Sequence, residues 1–170
     1  KNMVDFYKES IKNKDIISGQ EVGNTYPKDS IYNVYKASDY YIHNDYTENH
    51  IQKYMKEGNY KHLYSKQGYS RCSIVPIADK ILTSDYGIYK SLKNKIEVVL
   101  LKKERISLDG FANGFLGGCC GFFEDTLLFN GNIEKLNSYN IIKDEADKSN
   151  IRLLYPSCNL VDTGSILFCN

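Results

Sequence analysis

The stretch Cys72-Ser73-Ile74-Val75-Pro76-Ile77-Ala78-Asp79-Lys80-Ile81-Leu82-Thr83-Ser84-Asp85 decides the fold. An apolar run is broken at Ala78-Asp79 and resumes at Lys80. Asp suits such a break because its side chain can bond its own backbone. This predicts a strand over Cys72 to Pro76, a turn, and a strand over Lys80 to Thr83. Ser84 then supplies a helix cap. Ile88 and Leu92 stand four apart, the spacing of one helix face, so a helix is expected over Asp85 to Asn94. A last apolar run, Ile96 to Leu101, reads as a third strand.

The same order recurs on both sides. Upstream, strands are expected at Ser30 to Tyr35 and Tyr40 to His43, a helix at Thr47 to Glu57, and a strand at Lys61 to Tyr64. Downstream, they fall at Cys119 to Phe123, Thr126 to Phe129, Tyr139 to Lys148 and Ile151 to Tyr155. The turns coincide: Ser38-Asp39, Ala78-Asp79 and Glu124-Asp125 each precede a short apolar strand. Thr47, Ser84 and Ser138 stand where the helices open. The flanks look like partial copies. Met3 to Lys12 is amphipathic through Val4, Phe6, Tyr7 and Ile11, and Asp15 to Ser18 follows as a short apolar piece. Ser165 to Phe168 matches a first strand. A unit of about forty residues cannot bury its own faces and must pack on its neighbours. The expectation is a single α/β domain over 1–170, made of about three ββαβ units with partial units at both ends.

The 170 residues carry a net charge of +1, with 42% hydrophobic and 25% charged residues. That balance gives no electrostatic reason to expect nucleic acid or an anionic membrane as partner. No apolar run reaches the roughly 18 residues of a membrane span. The start lacks the apolar stretch of a secretion signal. Five cysteines, Cys72, Cys119, Cys120, Cys158 and Cys169, include no CxxC pair. A metal site is not expected on that count, nor is any cofactor, and free thiols fit a cytoplasmic protein.

Four constellations could carry chemistry. Gly117-Gly118-Cys119-Cys120 puts two thiols on a glycine-flanked strand start, where Cys120 could be a nucleophile if a cation or His lowered its pKa. The plainer reading is two small core residues on opposite strand faces. Asp162 to Cys169 holds a second candidate thiol, Cys169, near a glycine turn with Ser165. His43 and Asp45 would share a face if the strand ran on, and could form an acid/base pair; Asp45 could equally favour a helix N-terminus. Arg71, beside Gly68, could hold a carboxylate bidentately or be a solvated turn charge. No phosphate-cradling loop, dinucleotide fingerprint or serine nucleophile elbow occurs. The long connection Lys102 to Gly114 is of a length that often carries function.

Taken together, Tyr26-Pro27-Lys28-Asp29, Ile42-His43-Asn44, Gln67 through Ser73, Thr83-Ser84-Asp85, Gly114 through Gly118 and Asp162 through Ile166 resemble an uncharacterised family, DUF6873. The repeat also resembles the guanidino-modifying enzyme fold, the pentein α/β propeller. That resemblance implies five ββαβ units around a pseudo-fivefold axis with a central site. It also implies attack on a guanidinium carbon by a Cys thiolate, an acid/base His, and carboxylates that grip the nitrogens. The chain departs from this pattern. Leu116 stands where the enzymes have the Glu of Glu-Gly-Gly. After Gly164-Ser165-Ile166 comes Leu167-Phe168, and Cys169 arrives one position later than the enzymes' Gly-Ser-Ile-His-Cys would have it.

Ligand contacts are expected at Arg71, Asp85, Gly117, Gly118, Cys119, Asp162 and Ser165. The expected function is a binder of a small guanidino or amino-acid-like ligand, catalytically degenerate. One alternative is a Cys-dependent guanidine or amidine hydrolase or amidinotransferase using Cys169 or Cys120 with His43 and Asp45. The other is an interaction module that self-associates through open edge strands.

Overall fold

The computed structural model describes residues 3–11 and 15–168. The architecture is mixed α/β, with three small three-stranded sheets and several helices. After α1 (Met3–Ser10), the first sheet comprises β1 (Tyr35–Lys36), β2 (Tyr40–His43) and β3 (Lys61–Tyr64), with α2 (Asn49–Glu57) between its last two strands. The second follows a short helix, α3 (Ser70–Ser73). It comprises β4 (Val75–Ile77), β5 (Lys80–Thr83) and β6 (Val98–Leu100), with α4 (Tyr86–Leu92) before β6. The third follows a 3-10 turn at Leu116–Cys119. It comprises β7 (Cys120–Phe123), β8 (Thr126–Phe129) and β9 (Arg152–Leu154), with α5 (Tyr139–Lys148) before β9.

All three sheets have the same wiring. The first two strands form an antiparallel hairpin, and the strand after the helix adds parallel to the second. The hairpin turns use left-handed backbone at Ala78 (φ 47°) and Glu124 (φ 53°).

The register fixes two cores. In β5, Ile81 and Leu82 point to opposite faces, as strand geometry demands. Ile81 joins Tyr35, Ile42, Leu63, Ile74, Ile88 and Leu92 in one cluster. Leu82 joins Val75, Ile77, Leu127, Phe129, Ile142 and Ala146 in the other. The apolar side of α4 thus shares a core with the first sheet as well as its own. The apolar side of α5 shares one with the second sheet as well as its own. Lys80 at the start of β5 is ion-paired to Glu145 of α5 at 2.9 Å, which ties the second sheet to α5.

The first strands and two of the three caps differ from the sequence expectation, while Ser138 stands at the N-cap of α5 as expected. Residues 30–34, 72–74 and 119 are not in strands, because their hydrogen bonds go elsewhere than to a ladder. Ser30 Oγ donates to Pro27 O, Asn33 bonds Cys72, and Gly118 N donates to Phe115 O. The α2 cap is Glu48, one residue after Thr47, and its carboxylate accepts from His50 N and Ile51 N. The α4 cap is Asp85, one after Ser84, accepting from Ile88 N. Thr47 is occupied by other partners, His43 and the carbonyl of Asn44. No helix among the described residues is long and apolar enough to cross a membrane.

Candidate functional site

The starts of the second and third sheets and the segment 162–166 converge on one tightly packed node. Gly117 and Gly118 make this approach feasible. A Cβ on Gly117 would collide with the carbonyl oxygen of Ile74, and one on Gly118 with Asp162 Oδ1. Asp162 is buried. Its Oδ2 accepts from Phe115 N at 2.7 Å and its Oδ1 from Gly164 N at 2.9 Å. Gly164 (φ 89°) and Ser165 (φ 124°) follow in left-handed backbone that a serine adopts only under strain. Ser165 Oγ donates to Gly117 O at 3.4 Å.

Cys72, Cys119 and Cys120 are all buried at this node. Burial pushes every one of these thiols up, Cys120 to about 11 even beside the Arg71 guanidinium. Asp162 adds to the rise at Cys72 and Cys119. A thiol so held is protonated at neutral pH and is a poor nucleophile.

Arg71 crosses from α3 to the third sheet. Its Nη1 donates to the carbonyls of Ile74 and Gly117, both at 3.2 Å, and its Nη2 to that of Cys120 at 3.0 Å. These bonds use three of the five guanidinium N–H groups. No carboxylate pairs with it among the described residues.

The residues read from the sequence thus divide. Arg71, Gly117, Gly118, Cys119, Cys120, Asp162 and Ser165 meet at the node. Asp85 lies apart as the α4 cap, where it also accepts from Gln67 Nε2 at 2.8 Å. His43 is fully buried, and none of its hydrogen bonds goes to a thiol. Its Nε2–H is shared between the carbonyls of Gly68 (2.7 Å) and Ser30 (3.1 Å), and its Nδ1 lies 2.8 Å from Thr47 Oγ1. Burial lowers its pKa, so the ring is neutral and holds the turn at Gly68. β2 stops at His43, and Asp45 sits exposed in the following turn. Cys169 lies outside the described residues. The long connection gives Glu104 to the start of α5, where its carboxylate accepts from Asn137 N and Ser138 N.

On the far side of Arg71 a cleft of about 600 Å³ opens between the hairpins. Arg71 and Tyr35 line it, with Phe122, Phe123 and Phe168 as apolar wall; Phe123 and Phe168 stack at 5.2 Å between ring centres. Tyr35 is only 6% exposed, and its hydroxyl has no hydrogen-bond partner among the described residues. Burial raises the Tyr35 pKa; Tyr40 adds to the rise, while Arg71 works against it. Asp39 and Asp79, both exposed on their hairpin turns, also line the cleft beside Tyr40, whose pKa they raise after burial has done so. The cleft is therefore lined by both a cation, Arg71, and two carboxylates, Asp39 and Asp79, with the Tyr35 phenol among them. Tyr35, Asp39, Asp79 and Phe168 are site residues that sequence reading missed. The matched turn aspartates were the available signal. No group of three His, Cys, Asp or Glu placed to hold a metal occurs among the described residues.

The profile of a family of unknown function, DUF6873, matches residues 1–167, and the chain belongs to that family. No curated protein and no solved structure matches it.

Proposed function

We propose that this member of DUF6873 is a small-molecule binding protein whose cleft takes a zwitterionic, amino-acid-like ligand, a guanidino amino acid being the fullest fit. The observation that carries the reading is that Arg71 and Tyr35 both line the cleft, near enough for the guanidinium to act on the phenol. A planar guanidinium beside a phenol suits a carboxylate. Asp39 and Asp79 offer the opposite charge to a ligand's cationic end. The aromatic wall covers an aliphatic stem.

The resemblance of the repeat to the α/β propeller agrees with this placement. If the three sheets are blades of such a propeller, the hairpin turns and first-strand ends that line the cleft surround its axis. The enzymes' Gly-Ser-Ile-His-Cys then puts the thiol of the guanidino-modifying chemistry at Phe168, which cannot attack carbon. The protonated thiols of the node favour binding over hydrolysis for the same reason.

The test is a thermal-shift and equilibrium-dialysis series with L-arginine, its decarboxylated counterpart agmatine, and acetate. L-Arginine at a hundred times its dissociation constant should add about 2.7 kcal/mol to stability. Agmatine should bind at least roughly tenfold more weakly, because a charge-assisted hydrogen bond contributes about 1.5–3 kcal/mol. Tyr35→Phe should weaken L-arginine and leave agmatine unchanged. Equal affinity for the two ligands would remove the carboxylate clamp, and no shift with any probe would remove the binding reading.

A further inference from the structure

A second cavity, of about 260 Å³, shares no lining residue with the cleft. Its walls come from the start of the second sheet, the end of β5 and the long connection after β6. Ser73, Ser84 and Asp85 belong to the first two, and Lys103, Glu104 and Phe115 to the third. The function proposed above uses none of them.

These walls are tied in place. Thr83 Oγ1 donates to the carbonyl of Ser73 at 2.7 Å, and Asp85 N donates to Thr83 Oγ1 at 3.1 Å. The connection closes on itself: Gly114 N donates to Ile106 O at 2.9 Å and Ile106 N to Asn113 Oδ1 at 2.8 Å. Phe115 stacks on Tyr69 at 5.8 Å between ring centres. A ligand meets walls already formed rather than segments it has to order.

The walls contain an unmet hydroxyl. Ser73 is 6% exposed, and its buried Oγ has no hydrogen-bond partner among the described residues. Leaving such a group unpaired is costly, and native folds rarely do so. A single water could pair with it, but the cavity is far larger than the about 30 Å³ that one water occupies.

The two carboxylates, by contrast, ask for no cation. Asp85 accepts from Ile88 N and Gln67 Nε2 at the start of α4. Glu104 accepts from Asn137 N, Asn137 Nδ2 and Ser138 N at the start of α5. Helix starts favour negative charge, so both charges are met within the fold. Each carboxylate still keeps acceptor capacity, since it has about four lone-pair sites. Lys103 is exposed, forms no ion pair among the described residues, and can only donate.

The lining thus offers hydroxyls that donate and accept, carboxylates that accept and an ammonium that donates. A ligand rich in hydroxyl groups answers all three, because each hydroxyl is both donor and acceptor. Phe115 adds apolar surface for the C–H face of such a ligand. The volume falls below the roughly 300–1,000 Å³ of pockets for drug-sized ligands, which suits a single ring. We infer that this cavity binds a monosaccharide or cyclic polyol, whose hydroxyls pair with Ser73 Oγ.

Saturation-transfer NMR with D-glucose, D-ribose and myo-inositol, and with methylammonium as a cationic control, tests this. At least one of the three polyols should show saturable binding, and methylammonium should show none. Ser73→Ala should weaken that polyol roughly fivefold, the loss of one neutral hydrogen bond. The same variant should unfold at no lower urea concentration than the unmodified chain, because the Ser73 hydroxyl bonds nothing within the described fold. Tyr35→Phe, a change in the cleft, should leave polyol binding as it is. Binding of none of the polyols overturns the inference and leaves the cavity to water. Methylammonium binding in their place overturns it in favour of a cation site. A polyol held equally well by Ser73→Ala, or weakened by Tyr35→Phe, overturns it by placing the ligand elsewhere.

Discussion

Asn33 grips Cys72 at two points: its Oδ1 accepts from Cys72 N and its Nδ2 donates to Cys72 Sγ, each at 2.9 Å. The amide joins the segment before the first sheet to the helix before the second. Arg71 N donates to Asn33 O at 3.0 Å in the same place.

Asn33→Ala should therefore leave the Cys72 N–H without its acceptor. A buried donor left unpaired costs about 1–3 kcal/mol. Urea unfolding should show that loss as a lower midpoint with an unchanged slope. Asn33→Asp, which keeps the acceptor and drops the donor, should recover part of it. A midpoint unmoved by Asn33→Ala would show that the clamp contributes nothing.

The thiols give a second expectation. In a Cys169→Ser background, Cys158 should react with an aromatic disulfide at once, since it is exposed. Cys72, Cys119 and Cys120 should react only on unfolding. With the Cys120 thiol pushed up to about 11, its thiolate fraction at pH 8 is on the order of one in a thousand. Rapid native labelling of any buried thiol would contradict the geometry at the node.

Glu48 sets an acid limit. Burial acts to raise its pKa, but hydrogen bonds from His50 and from the N–H groups of Ile51, Gln20 and His50 outweigh that and lower it overall. A carboxyl lowered in the folded state stabilises the fold above its unfolded pKa, about 4.3, and that contribution is lost as pH falls through the folded value. Glu48→Ala should cost roughly 0.5–2 kcal/mol near neutrality through the lost helix cap. It should also flatten the decline of stability below about pH 4.3. A variant with the same acid profile as the unmodified chain would assign that decline to other groups.

Two glycines separate crowding from backbone freedom. Gly118→Ala drives a methyl into the Asp162 carboxylate and should cost about 1–3 kcal/mol by overpacking, or more if Asp162 loses its hold on Phe115. At Gly110 a methyl would meet nothing within 4 Å, but φ is 75°. Gly110→Ala should therefore cost only about 1–2 kcal/mol, the left-handed penalty alone. Equal costs would mean that the node yields more readily than its contacts indicate.

Second strands and helices were the most legible parts of the chain. The ranges 40–43, 80–83, 126–129 and 139–148 coincide with β2, β5, β8 and α5, because periodicity and turn aspartates are local signals. The first strands were legible only in part. Their opening residues look extended and apolar, yet they are spent on contacts with distant segments, such as Asn33 with Cys72 and Gly117 with Ile74. Arg71 and the glycine pair were readable as a site because charge and glycine are conspicuous. The cleft was not, since Tyr35, Asp79 and Phe168 lie far apart in sequence and meet only through the packing of one sheet beside the next.

Neighbouring side chains in β5 serve separate interiors. Ile81 belongs with α4 and the first sheet, Leu82 with α5 and the third. The second sheet is a party wall, and each room leans on it. A slip of one residue in that strand would evict both tenants at once. Damage to this wall should consequently bring down the two interiors in a single transition, whereas an injury confined to Met55 under α2, which belongs to neither cluster, should stay local.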